Sequence, residues 1–128
     1  MVVGSNPTPG AMKTIKDKIL LEDLRLMAKR TFGNLVKAVV DIEKEIMALD
    51  AELHADEEAW LLESGSKQEN LWGINIYPEE KQENFIEFDS MINLRPGQGN
   101  RSRGVESEAI RKKIINILDK LIKDGLPT

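Results

Sequence analysis

Two runs of alternating residues indicate the fold class: LWGINIY at Leu71–Tyr77 and NFIEFDSMINL at Asn84–Leu94. Apolar and polar positions that alternate with a period of two are typical of a strand with one buried face. Pro78 ends the first run, and the polar stretch Glu79–Glu83 separates it from the second. Together the runs predict an antiparallel β-hairpin.

Helical patterns lie on both sides of this hairpin. Leu21–Phe32 has acidic residues in its first turn and basic residues at its end, which complements the helix dipole. Ser107–Lys123 carries a broad apolar stripe at helical spacing. A short helix near 57–64 is also predicted, with Asp56 as its N-cap and Gly65 beyond its end.

The segment Leu35–Leu53 fits two patterns. Its apolar residues recur at spacings of four and three, as in an amphipathic helix, but many of them also alternate, as in a strand. Valines near the start favour a strand, whereas Glu, Lys, Met and Ala further on favour a helix. We interpret 36–48 as a strand and Lys13–Ile19 as a lead-in that includes an edge strand.

These elements predict an α+β fold. We expect a small antiparallel sheet of about three to four strands packed against an N-terminal and a C-terminal helix. The chain of 128 residues has the size of one domain, and its apolar fraction of 41% is enough for a core.

Composition excludes several kinds of site. Because the chain has no cysteine, disulfides, thiolate metal sites and cysteine nucleophiles are ruled out. No apolar run approaches the roughly 18 residues that span a bilayer, and no signal sequence is apparent. We therefore predict a cytoplasmic protein with no membrane partner.

The first eleven residues, MVVGSNPTPGA, differ from the rest of the chain. They have no charge and no periodicity, and they contain two prolines and two glycines. We expect 1–11 to be disordered, as a start codon assigned too early or a cloning remnant. The single α+β domain would then span 12–128 and begin at Met12.

Charge is distributed unevenly. Residues 41–89 hold fifteen acidic residues and three lysines, whereas both flanks carry an excess of bases. An acidic middle disfavours a uniform surface for nucleic acid, and no aromatic residue lies in the basic loop described next. Nucleic acid is therefore an unlikely partner.

That loop, Arg95–Gly104, is a candidate anion-binding site. It combines three arginines with three glycines just ahead of a helix. Glycines permit close backbone approach, a helix N-terminus favours negative charge, and arginine donates bidentate hydrogen bonds to phosphate or carboxylate. The predicted binding residues are Arg95, Asn100, Arg101 and Arg103. The alternative is a mobile loop whose arginines pair with the acidic segment.

A second candidate site surrounds His54, the only histidine. His54, Asp56 and Asp41 are candidate catalytic residues, and His54 and Asp56 are candidate ligands for magnesium or manganese. His54 could equally act as a general base. The alternative is structural, with Asp56 as a helix cap and His54 hydrogen-bonded at the start of the helix.

Several stretches resemble a small family of uncharacterised prokaryotic proteins known only as a domain of unknown function. The matching stretches are VKAVVDIE (36–43), ELHADEE (52–58), GSKQENLWGINIYP (65–78), IEFDSMINLRPGQGNRSRG (86–104) and IRKKI (110–114). The resemblance implies that 1–11 is foreign to the family. Members often carry glycine where Asp50 and Ala51 stand, which implies a turn there. It implies no activity, ligand or cofactor.

Three hypotheses follow. The first is a binding or accessory protein that holds an anionic small molecule or an acidic partner surface at Arg95–Gly104. The second is a small metal-assisted hydrolase or phosphodiesterase that uses His54 and nearby carboxylates. The third is a structural homodimer formed through a sheet edge. We expect any site to lie where the loop after the last strand meets the His54 turn.

Overall fold

A five-stranded antiparallel sheet forms the centre of the structure, a computed structural model that describes residues 12–128. The strands are β1 (Lys13–Ile15), β2 (Val36–Asp41), β3 (Ile46–Leu49), β4 (Leu71–Ile76) and β5 (Ile86–Glu87). Their order across the sheet is β1-β3-β2-β4-β5, and every neighbouring pair is antiparallel. The α+β class is confirmed, with more strands than expected. The prediction for 1–11 lies outside the described residues.

Three helices cover the two faces of the sheet: α1 (Leu21–Arg30), α2 (His54–Glu63) and α3 (Glu108–Leu121). α1 and α3 pack on one face and form the main core with it. α2 packs on the opposite face, where a smaller cluster of Val39, Ala48, Leu61 and Leu71 is buried. The two terminal helices are confirmed. Within 12–128, no helix is long and apolar enough to cross a membrane.

The segment 36–48 is a hairpin rather than one strand. Residues 42–45 form a turn, and the Asp41 side chain holds it by accepting hydrogen bonds from the amides of Glu43 and Lys44, both at 2.9 Å. The turn also reverses the alternation, because Val36, Ala38 and Val40 face the main core whereas Ala48 faces α2. Both sequence patterns missed this turn, which has neither glycine nor proline.

The expected long strand Asn84–Leu94 is also wrong. Only Ile86–Glu87 pair with β4, and residues 91–93 form a 3₁₀ turn. Beyond β5, side chains replace the missing strand: Asn93 accepts from the Gly73 amide at 2.8 Å and donates to the Gly73 carbonyl at 3.0 Å. The alternating pattern therefore reflects a segment that packs on β4 without continuing the ladder.

The start of α2 differs from the prediction as well. Its N-cap is Leu53, so Asp56 lies inside the first turn and caps nothing. The amides of Asp56 and Glu57 turn back to the Leu53 carbonyl at 3.2 and 3.4 Å. Asp50, where the resemblance implies a turn, adopts a positive φ of 74°.

Candidate functional site

A cleft of about 240 Å³ opens between the N-terminus of α2 and the segment that follows β5. It lies on the face of the sheet that α2 covers. Its floor and walls combine polar side chains with an apolar rim. The lining residues are Lys37, Leu53, His54, Ala55, Asn75, Asp89, Ser90, Met91, Ile92 and Arg103.

His54, the first residue of α2, is held in this cleft by the backbone of β4. Its side chain is buried, and Nε2 lies 2.7 Å from the carbonyl oxygen of Ile74. Because a carbonyl only accepts, Nε2 carries the proton and Nδ1 is an acceptor. Nδ1 has no hydrogen-bond partner among residues 12–128. Burial lowers the pKa of His54, and the nearby charge of Lys37 lowers it further, which favours the neutral ring.

Asn75, on β4, lines the cleft and has a buried acceptor beneath its surface. Its Nδ2 donates to Oε1 of Glu87 at 2.9 Å and to the carbonyl of Asp89 at 3.3 Å. These two acceptors fix the orientation of the amide, so Oδ1 must be the other atom. Oδ1 is buried and has no partner within the described residues, although Asn75 is only 6% exposed. A buried acceptor without a donor is costly and is uncommon in native proteins.

The charged side chains of the cleft are not fully paired with one another. Nε of Arg103 donates to Oδ1 of Asp89 at 2.8 Å, so these two charges offset each other. Lys37 forms no salt bridge within 12–128, and its ammonium lies 5.3 Å from the centre of the Phe32 ring. One lysine that lines the cleft therefore has an ammonium that forms no salt bridge with a carboxylate of the described residues.

The N-terminus of α2 adds further positive potential. No side chain caps this helix, and the amides of His54 and Ala55 have no acceptor among residues 12–128. Burial raises the pKa of Glu57 to about 10, so this acid in the first turn is neutral at pH 7. Its Oε2 instead accepts from the Ala51 amide at 3.0 Å. An uncapped helix N-terminus attracts anions.

The predicted anion-binding loop uses most of its polar groups internally. The Arg95 guanidinium donates to the carbonyls of Gln68 and Leu71 and stacks 4.1 Å from the centre of the Trp72 ring. Asn100 is buried, and its Nδ2 donates to three backbone carbonyls of the loop region. Both side chains therefore hold the loop together and leave little for a ligand.

The two remaining arginines have different surroundings. Arg103 lines the cleft beside Asp89, so the structure brings His54 and this loop residue to one place. Arg101 does not line the cleft, and its side chain has no partner within the described part of the chain. The helix after the loop is already capped, because the Ser107 side chain accepts from the Ile110 amide. Anion binding by Arg101 stays a prediction.

The candidate metal ligands are not brought together. Asp41 is buried at the far end of β2 from Lys37, about 13 Å away for four residues of strand. Its oxygens are taken by the turn amides and by Oγ of Ser66 at 2.6 Å. Asp56 is exposed and does not line the cleft. Within 12–128, no three His, Asp or Glu side chains are grouped as metal ligands.

Sequence reasoning missed several cleft residues, above all Lys37 and Asn75. Both occupy polar positions in alternating strands, and such positions usually face solvent. Their register partners confirm that they are neighbours, since Lys37 lies opposite Asn75 across β2 and β4. The feature of the sequence that could have identified them is a polar residue in each of the two strands on the face that α2 covers. It could not be recognised without knowing where α2 packs.

A family model for proteins of unknown function, DUF5674, matches residues 13–121. No curated protein and no solved structure matches the chain. The match includes the whole sheet, all three helices and every residue of the cleft. The chain therefore belongs to the DUF5674 family.

Proposed function

We propose that this protein binds a small organic anion in the cleft at the N-terminus of α2. The observation that carries the proposal is an uncapped helix N-terminus that opens on a cleft lined by Lys37, whose ammonium forms no salt bridge within the described residues. Charge-assisted hydrogen bonds from amides and ammonium groups are among the strongest that proteins make. A carboxylate or phosphate would accept hydrogen bonds from the amides of the helix N-terminus and from Lys37 at once.

The electrostatic balance of the cleft supports an anion over a cation. Arg103 offsets Asp89, Glu57 is neutral, and Asp56 in the first turn of α2 lies outside the cleft, so Lys37 and the helix dipole remain in excess among the groups that line it. A helix N-terminus stabilises a nearby negative charge by about 0.3–1 kcal/mol when exposed and by up to about 2 kcal/mol when partly buried. The Lys37 ammonium adds a direct ionic contact.

The rim of the cleft indicates that the ligand also has an apolar part. Leu53 and Met91 flank the opening with 58% and 63% of their surfaces exposed. Exposed apolar side chains are common singly, but two at the mouth of a polar cleft offer a contact for a hydrocarbon chain. A small organic acid fits this combination better than a free phosphate ion.

The experiment is calorimetric titration with 4-methylpentanoate, a short branched carboxylate, at low and at physiological salt. Lys37→Met removes the charge and keeps the length of the side chain, and we expect it to weaken binding at least about tenfold. Lys67→Met is the matched control, because Lys67 is exposed and lies outside the cleft. Binding of the wild type should also weaken as salt is added.

Two outcomes would contradict the proposal. One is the absence of any binding of 4-methylpentanoate, acetate or inorganic phosphate by the wild type. The other is equal weakening by Lys37→Met and Lys67→Met, which would mean that overall charge, not the cleft, attracts the anion. Loss of binding in Arg101→Ala alone would instead place the anion at the exposed loop.

A further inference from the structure

The cleft presents acceptors as well as cationic groups. Nδ1 of His54 has no donor within residues 12–128, and the residue is more than nine-tenths buried. Asp89 adds a carboxylate whose Oδ1 bonds to Arg103 and whose Oδ2 has no donor within the described residues. A simple anion would leave both of these acceptors unused.

A ligand that satisfies this cleft must carry several donors together with its negative charge. An ammonium group has three N–H donors, whereas a hydroxyl has one. Two acceptors, one of them on a carboxylate, therefore match an ammonium group better than a hydroxyl. Lys37 and the amides of His54 and Ala55 match a carboxylate on the same molecule.

Size narrows the choice further. A cleft of about 240 Å³ holds roughly eight water molecules at about 30 Å³ each. This suits a molecule of the size of leucine or methionine. The apolar side chain of such a molecule would lie against Leu53, Met91 and Ile92 at the rim.

We infer that the ligand is a free aliphatic α-amino acid. Its ammonium group donates to His54 Nδ1 and Asp89, and its carboxylate faces Lys37 and the N-terminus of α2. This inference rests on the proposed function, because it keeps the same anionic group at the same place and adds the cationic group beside it.

Three ligands of the same carbon skeleton test it by calorimetry: L-leucine, 4-methylpentanoate, which lacks the ammonium group, and 3-methylbutylamine, which lacks the carboxylate. We expect leucine to bind at least tenfold more tightly than either analogue. If 4-methylpentanoate binds as tightly as leucine, the inference is wrong and the proposed function stands. If neither leucine nor 4-methylpentanoate binds, or if only 3-methylbutylamine binds, the inference and the proposed function are both wrong.

One variant of the protein tests the contact with the ligand's ammonium group separately from the contact with its carboxylate. Asp89→Asn removes a negative charge with little change of shape, so it should weaken the binding of leucine at least about fivefold. The affinity for 4-methylpentanoate should not fall. Glu83→Gln, at an exposed position outside the cleft, is the control. Thermal unfolding of both variants checks that each is folded. An unchanged ratio of leucine to 4-methylpentanoate affinity in Asp89→Asn would overturn the inference.

Discussion

Replacing Glu57 by glutamine should remove a large part of the pH dependence of stability. The Glu57 side chain is fully buried, and burial raises its pKa from 4.5 to about 10 in the folded protein. Between those two values the folded state holds a proton that the unfolded state has lost. The free energy of unfolding must therefore fall as the pH rises through this range.

The magnitude follows from proton linkage. One bound proton changes the free energy of unfolding by about 1.4 kcal/mol per pH unit. From pH 6 to pH 8 the wild type should lose about 3 kcal/mol through Glu57 alone, a large share of the 5–15 kcal/mol typical of a domain. Glu57→Gln keeps an oxygen for the Ala51 amide and cannot ionise, so it lacks this loss.

Urea unfolding followed by tryptophan fluorescence at pH 6, 7 and 8 measures the effect. Glu63→Gln is the matched control, since Glu63 lies exposed at the end of the same helix. The difference in stability between Glu57→Gln and the wild type should grow by about 3 kcal/mol from pH 6 to pH 8. A constant difference would show that Glu57 is ionised in the folded protein, and that the N-terminus of α2 already faces a negative charge.

Three further predictions concern the segment after β5, all read by chemical denaturation. Gly73→Ala should lower the free energy of unfolding by about 1–3 kcal/mol, because its Cβ would lie 2.6 Å from Cβ and Oγ of Ser90. Gly97→Ala, with open space around it, is the control and should change the free energy of unfolding little. Asn93→Asp keeps the acceptor for the Gly73 amide but loses two donors. The free energy of unfolding should therefore fall by at least about 2 kcal/mol. An unchanged value would contradict a structural role for Asn93. Arg95→Lys should lower the free energy of unfolding by about 1–2 kcal/mol, since one ammonium cannot replace a stacked guanidinium that donates to two carbonyls. An unchanged denaturation midpoint would exclude this structural role of Arg95.

The elements with strong local patterns were predictable from sequence. α1 and α3 follow from amphipathic spacing with charges placed to suit the dipole, and β4 follows from clean alternation ended by Pro78. The hairpin of β2 and β3 was not predictable in this way, because its turn depends on the Asp41 side chain rather than on glycine or proline.

The segment after β5 shows why alternation alone misled. Its residues alternate because one side packs on β4, yet its backbone leaves the sheet and Asn93 pairs with Gly73 through its side chain. Alternation reports burial on one side, and a hydrogen-bonded ladder is only one way to produce it. The absence of a Cβ at Gly73 also accommodates the close approach of Ser90.

The candidate site was predictable in part. His54 and Arg103 were identified as chemically distinctive residues, and the structure places both in one cleft. The association of Lys37 and Asn75 with them depends on long-range packing of α2 across the sheet, which no local pattern contains. Arg95 and Asn100 looked like binding residues because their donors suit anions, but backbone carbonyls within the protein accept those hydrogen bonds.

The most direct test of anion binding at α2 is an amide chemical-shift titration of the ¹⁵N-labelled protein with 4-methylpentanoate. We predict that the largest changes fall on the amides of His54 and Ala55, which belong to residues that line the cleft and have no acceptor among residues 12–128. Lys37→Met should reduce these changes at the same ligand concentration. Saturable binding with the largest changes around Arg101, or no saturable change at His54 and Ala55, would contradict the proposal.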